Sequence, residues 1–105
     1  MLNEYVKNNR SDNGKHSGFR FVKKVVCADG FTMSVQASEI HYCAPRENDA
    51  EYYSEVEIGF PSMADPLIEQ YAEDLENLTD TVYGYVPVEI VEQVILKHGG
   101  IKENV

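Results

Sequence analysis

The stretch Cys27-Ala28-Asp29-Gly30-Phe31-Thr32-Met33-Ser34-Val35-Gln36-Ala37 decides the fold. Phe31, Met33, Val35 and Ala37 alternate with Thr32, Ser34, Gln36 and Ser38, the period of a strand with one apolar face. Ala28-Asp29-Gly30 stands before it, and Asp-Gly suits the positive φ of a tight hairpin turn. Upstream, Phe19, Phe21, Val22, Val25 and Val26 are strand-formers, interrupted by Lys23 and Lys24. The expectation is therefore a β-hairpin, with a first strand over 19–27 and a second over 31–37.

Working outward, residues 38–50 read as a loop. Tyr52 to Phe60 reads as a third strand, with Tyr52, Ser54, Val56, Ile58 and Phe60 on one face. Tyr53, Glu55 and Glu57 take the other, and Pro61 ends the strand because proline has no N–H for a ladder. Asp65-Pro66 resembles an N-cap with proline at the first helical position, and Leu67, Ile68, Tyr71, Ala72 and Leu75 have helical spacing. The spacing predicts a helix of two or three turns there. Val82 to Val86 reads as extended. Pro87 then opens a helix to His98 that buries Val88, Val91, Val94 and Ile95. Glu89 and Glu92 suit the helix N-terminus, Lys97 and His98 the C-terminus, and Gly99-Gly100 stops it. Residues 1–18 are polar and read as a flexible tail, with Leu2, Tyr5 and Val6 able to dock. The fold class is α+β: a small antiparallel sheet, hairpin plus third strand, packed by two short helices with the C-terminal helix last. Residues 19–105 form its single domain.

The chain has 105 residues, of which 43% are hydrophobic and 26% charged, the balance of an ordinary globular domain. Two cysteines, Cys27 and Cys43, do not make a disulfide scaffold. No apolar run is long enough for a membrane span, and the polar N-terminus has no signal core. The expected compartment is the cytoplasm, with both thiols free.

The net charge of −9 is unevenly spread. Residues 1–27 carry six basic and two acidic side chains, and residues 28–105 three basic and sixteen acidic ones. Between Arg46 and Lys97 lie thirteen acids and no Lys or Arg. Such a field repels nucleic acid and anionic membranes and attracts a basic partner, although acidic surfaces also serve solubility alone. The candidate interaction surface is Glu55, Glu57, Glu69, Glu73, Asp74, Glu76, Asp80, Glu89 and Glu92.

The 41–46 loop is the candidate ligand site. His41, Tyr42 and Arg46, with Tyr53 nearby, offer an imidazole, two phenols and a guanidinium for a phosphate-bearing ring. The plain alternative is that Arg46 pairs with Glu47 or Asp49 and pins the loop. A zinc site built from Cys27, His41 and Cys43, with His16 or His98, lacks the paired short spacing of structural sites, so no metal is expected. A Cys43–His41 nucleophile and base lacks an orienting third group, and no catalytic residue or cofactor is assigned. The tyrosines, seven in all, suit either a protein interface or a small core.

The strings CADGFTMSVQAS (27–38), HYCAPR (41–46), VEIGFPS (56–62) and VYGYVPVEIVEQVILKHGG (82–100) resemble small proteins of bacteriophages and prophages. The resemblance spans Cys27 to Gly100 and carries no activity with it. It implies a phage accessory protein, present in the cytoplasm of an infected bacterium. Such proteins often act stoichiometrically on host machinery, defence systems included. The leading expectation is thus a non-enzymatic inhibitor that offers its acidic surface to a basic, nucleic-acid-binding host protein. A nucleotide sponge or sensor at the 41–46 loop and a virion structural or assembly component are the alternatives, and self-association fits any of them.

Overall fold

The computed structural model describes residues 1–10 and 21–102. Among them the chain forms α1 (Leu2–Asn8), β1 (Val25–Val26), β2 (Thr32–Gln36), β3 (Glu55–Gly59), a single 3-10 turn (Glu69–Tyr71), β4 (Val82–Pro87) and α2 (Val88–Lys97). The strands make one antiparallel sheet in the order β1-β2-β3-β4. The fold is α+β, with the C-terminal helix last.

The hairpin forms as its pattern dictates. Phe31, Met33, Val35 and Ala37 are buried. Gly30 takes φ 97°, and its N–H donates to the Cys27 carbonyl while Asp29 accepts the Phe31 N–H. The first strand is shorter than expected, at Val25–Val26. Val22 is drawn away by Arg10 in a bridge and by the Gln36 amide, which holds both its N–H and its carbonyl. Phe21 is exposed. Residues 19 and 20 of that expected strand lie outside the described residues.

The third strand also departs from expectation. Val56 and Ile58 are buried, but Tyr52 and Phe60 are exposed and Tyr53 is buried. Alternation fails at both ends for local reasons. The Ser54 N–H donates to Ala44 in the preceding loop, and Phe60 turns outward at φ 49°. Segment 65–75 is not a helix of two or three turns. Asp65 accepts the Leu67 N–H, but only Glu69–Tyr71 winds, and the Glu73 N–H leaves for the Val82 carbonyl. Glu69 and Glu73 stand four apart, a like-charge spacing that disfavours a continuing helix. The segment lies instead along the edge of β4, with Ala72 bridged to Tyr83, and Leu75 is exposed.

α2 matches its expected bounds within a residue and buries Val88, Val91, Val94 and Ile95. Gly99 and Gly100, at φ 92° and 88°, turn the chain back so that Ile101 pairs with Cys27 and covers the β1 edge. A Cβ on Gly99 would stand 2.9 Å from that of Ala28, so the turn excludes side chains as well as needing positive φ.

The N-terminus is not the expected tail over residues 2–8. Leu2 and Val6 of α1 enter the core, and Tyr53 and Asn3 exchange hydrogen bonds of 2.7 and 3.1 Å. Glu92 of α2 accepts the Leu2 N–H at 3.0 Å and lies 3.8 Å from the terminal ammonium, so one helix caps the other. Residues 11–18 of the expected tail lie outside the described residues. Cys27 and Cys43 are free thiols, both buried. Among the described residues no helix is long and apolar enough to cross a membrane.

Candidate functional site

The four residues of the candidate ligand loop do not converge. His41 is only 7% exposed, its Nδ1 lies 2.6 Å from the Ser38 hydroxyl, and Phe21 packs edge-on against its ring. Burial pushes its pKa down, with Glu57 opposing and Arg46 assisting. Tyr53 is buried, and its hydroxyl donates to the Glu47 carbonyl at 2.6 Å and accepts the Ala50 N–H. Both side chains hold the loop together from inside. The Cys43 thiol donates to the Ser38 carbonyl, and burial raises its pKa. A buried thiol that donates to a carbonyl and whose ionisation burial disfavours is poorly placed as a nucleophile.

Tyr42 and Arg46 do reach the surface, and Tyr42 lines a different site. β3 and β4 pair Val56 with Val86 and Ile58 with Tyr83, which leaves Glu57 opposite both Gly84 and Tyr85. This bulge tilts β4, and Tyr85 adopts φ 54°, a conformation uncommon for a tyrosine. The Tyr85 N–H donates to the Tyr42 carbonyl at 2.9 Å, and the Tyr42 N–H donates to Glu57 Oε1 at 2.9 Å. Gly84 gives the loop room, since a Cβ there would come within 3.3 Å of the Tyr42 Cβ.

The result is a surface groove of about 290 Å³ lined by Tyr42, Tyr71, Glu73, Gly84 and Tyr85. The Tyr42 and Tyr85 rings stand 6.0 Å apart at 34°, and they are 42% and 43% exposed. The Arg46 guanidinium carbon lies 5.6 Å from the Tyr42 ring centroid, a cation–π distance. Tyr71, Tyr85, Gly84 and the wall position of Glu73 were not part of the expected ligand site. A glycine inside a strand pattern, here Gly84, is the signal that marks a bulge.

The expected acidic surface divides in two. Glu69, Glu73, Asp74, Glu76, Asp80 and Glu89 are exposed, whereas Glu55, Glu57 and Glu92 are half-buried. Glu57 and Glu92 already accept backbone N–H groups, so they act as internal supports. Asp74 accepts from Glu76 and Asn77, and the Asn77 bond first and the Glu76 bond second lower its pKa.

A second polar cluster gathers at the end of α2. His98, expected only to suit the C-terminal end of the helix, is buried and stacks on Phe31 with centroids 4.0 Å apart. Its Nδ1 lies 2.7 Å from Asp29 and its Nε2 3.3 Å from Asp65, while Lys97 lies 3.2 Å from Asp65. Asp65 is 2% exposed. Burial alone would raise its pKa, but bonds from Leu67, Lys97 and His98 outweigh this and hold it below the usual carboxylate range. The Phe31 N–H, with help from His98, lowers Asp29.

No family model, curated protein or solved structure matches the chain.

Proposed function

We propose that the chain is a non-enzymatic binding protein that engages a basic surface of a partner protein. The face involved comprises the tyrosine groove and the acidic segment 69–80 beside it. The observation that carries this reading is the coincidence of the two features. Three tyrosines and Glu73 line the groove, and Glu69, Asp74, Glu76 and Asp80 are exposed on the same segment and its continuation into β4. Tyrosine offers contact area at low entropic cost, and the acids steer a basic partner into encounter. The resemblance to phage proteins makes that partner a host protein, met in the host cytoplasm and inhibited by occupation of its basic surface. A phosphate-bearing ligand at the 41–46 loop draws less support, because His41 and Tyr53 are buried with their polar groups engaged.

The test is affinity capture from a host lysate at low and high salt, with the native chain beside a Glu69→Lys, Glu76→Lys, Asp80→Lys variant. The proposal expects a basic protein, identified by mass spectrometry, that is retained at low salt, released at high salt and missed by the variant. Equal capture by both chains, or only salt-insensitive capture, overturns it.

A further inference from the structure

We infer that the groove between Tyr42 and Tyr85 receives an arginine side chain of the partner protein; this rests on the proposed reading and names the group that anchors it. The two rings are tilted by 34° with centroids 6.0 Å apart, and both line the groove together with Tyr71. Tyrosine faces carry negative quadrupole potential, so a groove lined by three tyrosines favours a cation. Glu73 lines the same groove, and its negative charge favours a guanidinium and disfavours a phosphate. The surrounding charge agrees, since residues 47–96 contain no Lys or Arg.

The protein itself supplies the precedent: the Arg46 guanidinium already lies 5.6 Å from the Tyr42 centroid. Arg46 is thus a competitor of the incoming arginine, sharing its ring and repelling its charge. This fixes the sign of one experiment. Removing Arg46 strengthens binding of a cation and weakens binding of an anion.

The probe is a blocked Gly-Arg-Gly peptide titrated into the isotope-labelled chain and followed by amide chemical shifts. Its citrulline counterpart, equal in shape but uncharged, and ATP serve as the comparison ligands. The expected result is saturable shifts centred on residues 42, 71, 73, 84 and 85, with the citrulline peptide about tenfold weaker. Tyr85→Asn, which removes the ring but suits the positive φ, and Glu73→Gln each weaken the arginine peptide severalfold. Arg46→Ala strengthens it. Shifts confined to exposed acids outside the groove overturn the inference while leaving the acidic-surface reading intact, and so does the absence of any saturable shift. Groove shifts with ATP that vanish in Arg46→Ala also overturn it, and they point to an anionic ligand. The lysate capture experiment reports independently on the broader reading.

Discussion

Two clusters of rings and carboxylates lie on this small domain, and they are built in opposite ways. Around His98, every polar atom has a partner: Asp29 and Asp65 take the two ring nitrogens, Lys97 shares Asp65, and Phe31 covers the ring face. An imidazolium has a donor for each carboxylate, and a neutral ring has one. This clamp joins the β1–β2 turn, the start of the 65–71 segment and the end of α2. Around Tyr42 and Tyr85, by contrast, two large rings stand in solvent beside an open groove, and a bulge with a left-handed tyrosine holds them there. Residue types alone do not separate a site from a brace; what separates them is whether the groups are already satisfied.

The contrast is open to attack at its strongest point first. Asp65→Ala removes a buried carboxylate and strands the Leu67 N–H, Lys97 and one nitrogen of His98. A loss of about 3 kcal/mol in chemical denaturation is expected. A loss below about 0.5 kcal/mol, the range of an ordinary surface change, would demote the clamp.

The same distinction divides the acids on α2. Glu92→Ala removes the acceptor that caps α1 and is expected to cost about 1 kcal/mol and to speed amide exchange over residues 2–8. Glu89→Ala, on the exposed side, is expected to cost about 0.3 kcal/mol. Equal effects would mean that Glu92 does not join the helices.

Acid sharpens the comparison further. Asp29 and Asp65 have folded pKa values below their unfolded ones, so the stability they contribute is complete above about pH 4 and is lost as pH falls through the folded values. His41 is also depressed, which favours its neutral form in the fold. Its contribution therefore begins to fall as pH drops below about 6.5. Asp65→Asn should flatten the steeper acid limb, and His41→Gln the shallower one, in melting temperature against pH. Tyr85→Asn should leave both slopes unchanged. A slope change in the groove variant would show that the two regions are not independent.

How much of this was legible before the structure depends on how far apart the cooperating residues lie. The hairpin and α2 were readable, because alternation, an Asp-Gly turn and a Gly-Gly stop are local signals that agree with one another. The clamp was not, since Asp29 and Asp65 reach His98 from 69 and 33 positions away. α1 was hidden among polar residues, and its cap comes from Glu92 near the other end of the chain. At the candidate site, Tyr42 and Arg46 reach the surface, but His41 and Tyr53, expected beside them, are buried with their polar groups engaged. Tyr85 joins Tyr42 only because the register of β3 on β4 slips by one residue, and Gly84 is the one local sign of that slip.

The most direct test measures stability and binding in one variant. Tyr85→Asn removes a groove wall at a backbone position that asparagine tolerates. Its melting temperature and its affinity for the blocked Gly-Arg-Gly peptide are measured together. The account predicts melting close to that of the native chain and a severalfold loss of affinity. Unchanged affinity, or a melting loss comparable to that of Asp65→Ala, would contradict it.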